Sequence, residues 1–508
     1  MSAYAGAGAS GGHGRAVVVG AGLAGLTAAR ALANFMDHVT VIERDWVPSG
    51  TGRRPGVPQA RHTHTLVPAA HQGLERLFPG IGQDLAGAGA VRLTVPRDLL
   101  VLGPAGWLPR FDAGLSLLSA GRDLIDAAVR TRLRTDPKVD FLPGHEAVGL
   151  RGGRHDTVTG VWVRARDRAA ADGRGQRRLL PAEFVVDASG RGSHASHWLA
   201  ELGYAQPPQT LAAAPAAFAT AAFAPPVGHV ADWKSLLVTA APGLPRQGVL
   251  HPVEGGRWSV TLTLPGTARP PAGHAALLHA ARTLRHPLLH DLLTAATPLG
   301  PVYGCTRTGA RWHRYEKLRR WPDQFLVVGD ALADLDAAHG HGMALAVQCA
   351  LALDQVLTGH GTAVGISHRL RHALAREVAP AWRQAHPAPR PTGGVRARYA
   401  ARIAAAATTD PHAAALLLHP LHPAPPSRLA ALRPRVLRAA LRTPPGPAAV
   451  APPSTTHGPD TPRRRTPAAP AASVVHRAGT GAGAVAPRPA DPPPPTPAPA
   501  PAGERRRP

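Results

Sequence analysis

The chain has 508 residues, 44% of them hydrophobic, with 57 Lys and Arg against 32 Asp and Glu for a formal net charge of +25. That length accommodates two or three packed units. Cys305 and Cys349 lie far apart outside any C-x-x-C, which excludes a disulfide framework and a zinc site. The basic residues are nearly all arginine and are scattered, with no aromatic-interleaved stripe, so no specific nucleic acid is expected as a partner.

Residues 1–14, MSAYAGAGASGGHG, lack a basic segment, an apolar core and a twin arginine, so they read as a flexible N-terminus and not as a signal peptide. No apolar run reaches the roughly 18 residues of a membrane span. A reducing cytoplasm is the expected compartment.

From Arg15 to Asp45 the order is strand, glycine triplet, helix, strand and acid. Val17–Val19 are too few and too β-branched for a helix and read as a buried parallel strand. Gly20, Gly22 and Gly25 follow in G-x-G-x-x-G spacing: the first permits the tight turn, the second close approach of a pyrophosphate, the third close packing of the next helix. Leu23 to Phe35 are mostly helix formers, so the triplet sits at a helix N-terminus, where free N–H groups attract phosphate. A second strand, Val39–Ile42, ends in Glu43, placed to accept hydrogen bonds from an adenosine ribose. A dinucleotide site follows, with FAD and NAD both open at this point.

The loop WVPSGTGRRPGVPQARHTHTL (46–66) is dense in Pro, Gly, Arg and His, and loops of its length are functional or disordered. It is expected to fold over the cofactor. His71–Ala90 reads as a helix interrupted at Pro79-Gly80, and Leu99–Leu102 and Trp107–Arg110 as short strands. Gly121–Leu133 is an amphipathic helix with Arg122 at its start, suited to a ribityl or phosphate contact. Between Val139 and Val186 short alternating runs predict a small antiparallel meander returning to the main sheet and ending in the glycine-rich turn Asp187–Ser193.

Tyr204–Gly300, richer in proline and alternating strands, is expected to supply the substrate-facing sheet, followed by a short helix over Pro287–Ala295. Phe325–Val328 form another buried strand closed by Gly329-Asp330, and Gly340-His341-Gly342-Met343 opens a helix to about Leu357. Val364–Leu441 is largely helical. Residues 444–508, dominated by Pro, Ala, Gly and Arg, read as a disordered tail.

The three glycine-marked turns, Gly20–Gly25 with Glu43, Asp187–Ser193, and Gly329-Asp330 with Gly340 and Gly342, resemble those of the FAD-dependent monooxygenases of the para-hydroxybenzoate hydroxylase superfamily. GVPQARHTHTL, DASGRGS, TLRHPLLHDLL and VVGDALADLDAAHGHGM are similar to the branch of FAD-dependent epoxidases that act on polyether polyene precursors. The resemblance spans about Arg15 to Leu441. It implies an α/β fold in which a Rossmann-like FAD-binding domain (15–203, closed by 301–360) accompanies a mixed-sheet substrate domain (204–300). A C-terminal helical region (361–443) precedes the tail.

The resemblance implies FAD, with NAD(P)H as reductant. It puts Gly20, Gly22, Leu23, Ala24 and Gly25 around the pyrophosphate, Glu43 on the adenosine ribose and Arg44 beside the adenine. Arg54 and Arg122 would touch the ribityl and pyrophosphate, and Asp330 the ribityl hydroxyls. The helix opened by Gly340, Gly342 and Met343 would point its N–H groups at the pyrimidine end of the flavin. The implied activity is hydroxylation or epoxidation of an apolar secondary metabolite with molecular oxygen, through a flavin C4a-hydroperoxide, with no catalytic side chain assigned. Two alternatives share the fold: a flavin-dependent reductase or dehydrogenase, and a degenerate FAD-binding scaffold. The absence of a Trp-x-Trp-x-Ile-Pro segment counts against a halogenase.

The chain departs from the family at Asp336, Ala337 and His339, where asparagine, proline and tyrosine are common. Carboxylates at Asp334 and Asp336 would disfavour an anionic reduced flavin unless they point to solvent.

Overall fold

A computed structural model describes residues 14–166, 175–212, 216–241, 243–266, 269–307, 309–335, 340–386, 394–418, 421, 431–442 and 452. The expectations for residues 1–13, for Asp336–His339 and for nearly all of the tail lie outside the described residues.

Strand β1 (Arg15–Val19) is buried along Ala16–Val19, as a parallel strand covered on both faces must be. Strand β2 (His38–Glu43) pairs with it in parallel, Val18 opposite Val41. On the other side of β1 lies Phe184–Asp187, Val17 opposite Val185, and beyond it Phe325–Val327. The fifth strand, Val139–Pro143, joins β2 in parallel. It therefore belongs to the main sheet and not to the antiparallel meander expected between Val139 and Val186. The meander proper is the three-stranded sheet of His145–Gly152, Val158–Ala165 and Arg177–Pro181.

Because β2 and Phe184–Asp187 flank β1 on opposite sides, the strand order reverses at β1, and the crevice beyond its carboxyl end is where open α/β sheets bind ligands. Glu43, Asp187 and Gly329-Asp330 all stand on that edge. Helix α1 (Leu23–Leu32) follows β1 and stops short of the expected Phe35, the chain turning through Asn34 and Phe35.

The second sheet has eight strands, mostly antiparallel. It draws on both sides of residue 203: Leu99–Gly103 pairs in parallel with Ser235–Val238. One face, with Leu236, Leu250, Val260 and Leu262, packs on the helices His274–Arg282 and Leu288–Ala295. Alternation along the strands sends Phe218, Thr220, Thr261 and Tyr303 to the other face.

The helix His341–His360 is long and apolar enough to cross a membrane by length and composition, which the sequence reading did not anticipate. It packs against α1 and the helices Pro68–Leu77 and Ile366–Ala385. Its apolar surface is thus core. Further helices, Gly394–Ala406, Pro411–Leu417 and Pro434–Arg442, follow as expected, with Ile403, Val436 and Ala440 forming a small core of their own.

Candidate functional site

The glycine turns converge. Gly20 has φ +100°, a conformation that favours glycine, and a Cβ there would fall 2.6 Å from the Ala188 carbonyl oxygen in the turn after Asp187. A Cβ on Gly25 would fall 1.8 Å from the Gly20 oxygen, so only glycine lets α1 start this close to the strand. Gly329, at φ +63°, lies so close to Ala24 that a Cβ would sit 2.5 Å from the alanine methyl. Gly22 differs: a Cβ would meet nothing within 4 Å, so its missing side chain leaves room for something other than protein. Leu23 and Ala24 open α1, which has no side-chain cap and no acid in its first turn, leaving its N–H groups available to an anion.

Glu43 is buried at the end of β2. Its Oε2 accepts from Ala21 N–H at 2.9 Å and Arg54 Nη1 at 3.1 Å, and its Oε1 from Asp45 N–H at 3.0 Å. A carboxylate offers about four acceptor sites, so capacity for a ribose hydroxyl remains on Oε1. Arg44 beside it is exposed.

Arg54 turns inward, its Nη1 also donating to the Ala21 carbonyl at 2.9 Å and its Nη2 to Asp126 Oδ2 at 3.1 Å. Asp126 Oδ1 accepts from Arg122 Nε at 2.7 Å. Two acids and two guanidiniums thus form one buried, charge-balanced chain from β2 to the helix Arg122–Arg134. The resemblance places Arg54 and Arg122 against the ribityl and pyrophosphate. Here both are committed to protein carboxylates, with Asp126 joining them. The sequence reading did not single out Asp126, although its spacing of four from Arg122 on a helix was the available signal.

The loop after Asp45 runs from this network to the second sheet. His62 Nδ1 lies 2.8 Å from Thr220 Oγ1, and the Thr63 hydroxyl bonds Ser259 and Thr261 at 2.8 and 2.9 Å. Residues 58–66 therefore form a strap across the sheet face opposite the helices. His64 beside them is pushed down to about 4 by burial, with Arg122 adding to the effect, and is neutral at pH 7.

Asp330 stands beside the start of the helix His341–His360: a Cβ on Gly342 would lie 3.8 Å from its Oδ1. Gly340 takes φ +66° at the N-cap, no acid occupies the first turn, and Met343 is buried within it. Asp334 is buried and meets Arg191 Nε at 3.1 Å. Asp187 is buried as well, its carboxyl pushed up by burial while Ser189 N–H donates to it at 2.9 Å.

These residues fit a dinucleotide: open space at Gly22, uncapped N–H groups on α1, an acid at the end of β2, and a second uncapped helix start beside Asp330.

A model of the NAD(P)-binding Rossmann-like domain matches residues 18–78. The chain is 30% identical over 380 residues to Protein Rv3254 of Mycobacterium tuberculosis, covering 72% of this chain and 78% of that protein. Among solved structures, PqsL, a probable FAD-dependent monooxygenase from Pseudomonas aeruginosa, superposes with TM-score 0.53 at 19% identity, covering 73% of this chain and 93% of PqsL. The flavin-dependent brominase Bmp2 superposes with TM-score 0.56 at 14% identity, covering 84% of this chain and 98% of Bmp2. At such identities the likeness is one of fold.

Proposed function

This chain belongs to the same family as Protein Rv3254 of Mycobacterium tuberculosis, and we infer its function from the site that it carries. We propose that it is an FAD-dependent oxidoreductase, a monooxygenase that takes electrons from NAD(P)H and hydroxylates or epoxidises an apolar small molecule. The observation that carries this reading is the convergence of three glycine turns, after β1, after Asp187 and at Gly329-Asp330, on the crevice where the strand order reverses.

Bound there, FAD would supply two-electron chemistry with a nicotinamide and with molecular oxygen. The chain's own residues would hold it. Glu43 would accept the ribose hydroxyls, and the first turn of α1 at Gly22 would receive the pyrophosphate. Asp330 would hold the ribityl chain. The helix start at Gly340–Met343 would stabilise negative charge placed against it. Arg191 balances the Asp334 carboxylate, so that acid adds no uncompensated charge. The strap covers the sheet face at the buried Phe218, Thr220 and Thr261, which keeps water from that face.

Oxygen uptake on adding NADPH or NADH to purified protein tests the activity. Uptake that an apolar alkene couples to an oxygenated product is the expected result. NAD(P)H oxidation without oxygen uptake would point to a reductase, and no NAD(P)H oxidation at all to a scaffold.

A further inference from the structure

Arg53 and Arg61 converge on one aromatic ring. Their guanidinium carbons lie 4.9 and 4.8 Å from the centroid of Tyr303, and Arg53 Nη1 donates to the Tyr303 hydroxyl at 2.6 Å. The acid in reach is Asp123, whose Oδ2 lies 3.8 Å from Arg53 Nε and whose carboxyl burial pushes up. Arg61 is exposed and, among the described residues, makes no ion pair or hydrogen bond. Of the two cations only Arg53 has a carboxylate within 4 Å among the described residues, and the cluster carries net positive charge.

One guanidinium over a tyrosine is an ordinary cation–π contact. A second on the same ring adds like-charge repulsion, which an anion between the two would remove. Planar guanidiniums also suit carboxylate and phosphate oxygens taken in pairs. The place is specific. Tyr303 is the register partner of Thr220, whose hydroxyl meets His62, and Arg53 adjoins Arg54 of the Glu43 network. The cluster thus stands where the strap, the sheet face and the helix Arg122–Arg134 meet.

We infer that Arg53 and Arg61, gathered on Tyr303, bind an anionic group, a carboxylate or phosphate, of a small molecule that docks at the edge where the strap meets the sheet. That such a molecule then reaches the reaction centre rests on the proposed function; the anion site itself does not.

Isothermal titration of the protein as isolated, with sodium octanoate and separately with inorganic pyrophosphate, tests the inference. The wild type is compared with Arg61→Gln, with Arg53→Gln/Arg61→Gln, and with Arg396→Gln/Arg398→Gln as a charge-matched control on an exposed helix. The expected result is saturable binding of at least one anion, weakened by salt, about tenfold weaker in the double variant and near wild type in the control. Octanoate alone responding would identify the acid group of an apolar molecule; pyrophosphate alone would identify a dinucleotide. Arg61 is exposed, so its single variant should fold even where the double variant does not. Absence of saturable binding, or an equal loss in the control, overturns the inference. Flavin content measured on the same samples separates the two readings: a flavin-free chain that binds anions through this pair contradicts only the proposed function.

Discussion

The Arg191 guanidinium stands 3.1 Å from the buried carboxylate of Asp334, tying the turn after Asp187 to the segment that follows Asp330. Asp334 thereby has a counter-charge of its own, and the concern raised by its acid in the sequence is met by a partner over 140 positions away in the chain. Asp336, which raised the same concern, lies outside the described residues.

Because Arg191 is half-exposed and Asp334 is buried, removing the cation leaves a desolvated acid while forfeiting only a solvent-screened pair. Arg191→Gln is expected to cost about 1–2 kcal/mol of stability, and Arg191→Gln/Asp334→Asn to recover most of it. Urea denaturation of the two single variants and the double variant gives the coupling. Additive losses would mean that the pair does not act as a unit.

The Glu43–Arg54–Asp126–Arg122 chain is buried throughout. Arg54→Met leaves the buried Glu43 without a counter-charge and takes from Asp126 one of its two guanidinium partners, and is expected to cost about 3–5 kcal/mol in flavin-free protein. Glu43→Gln keeps the shape but weakens the charge-assisted bonds to a ribose; FAD affinity should fall by about 1.5–3 kcal/mol, roughly ten- to hundredfold. Denaturation curves and flavin titrations read the two effects separately. Wild-type stability for Arg54→Met would show that the network is dispensable.

The glycines separate folding from binding. Gly25→Ala drives a methyl into the Gly20 carbonyl and should lower the melting temperature of flavin-free protein. Gly22→Ala meets nothing in the protein, so its melting temperature should stay near wild type while flavin affinity falls. Equal flavin affinity for Gly22→Ala and wild type would place the pyrophosphate elsewhere.

His251, buried beside Ser235, is pushed down from 6.5 to about 4 by burial. Between these values the unfolded chain holds a proton that the folded chain does not, so its contribution is complete above about pH 6.5 and is lost as pH falls toward 4. The loss from this residue is on the order of 3 kcal/mol. In His251→Asn the drop in urea stability from pH 7 to pH 5 should be shallower. An unchanged pH dependence would show that other groups carry it.

Much of the cofactor half was legible because its signals are local. Three β-branched residues, a glycine triplet and a terminal acid fall within thirty positions, and β1, α1 and Glu43 stand where that pattern puts them. Val139–Pro143 lies in the main sheet and not in the meander, a difference that alternation in a five-residue strand cannot reveal. The pairing of Leu99–Gly103 with Ser235–Val238 across 135 residues leaves no trace in either segment. The resemblance implies a ribityl or pyrophosphate contact for Arg54; its ion pair with Asp126, 72 positions away, has no local signal in the sequence. The strap's bonds to Thr220, Ser259 and Thr261 are long-range for the same reason.

Titration of FAD into flavin-free protein, followed by flavin fluorescence, tests most directly whether a dinucleotide is held where the three glycine turns meet. The predicted result is saturation at one FAD per chain, with weaker binding in Glu43→Gln and Gly22→Ala. A correctly folded wild type that takes up no FAD would contradict it.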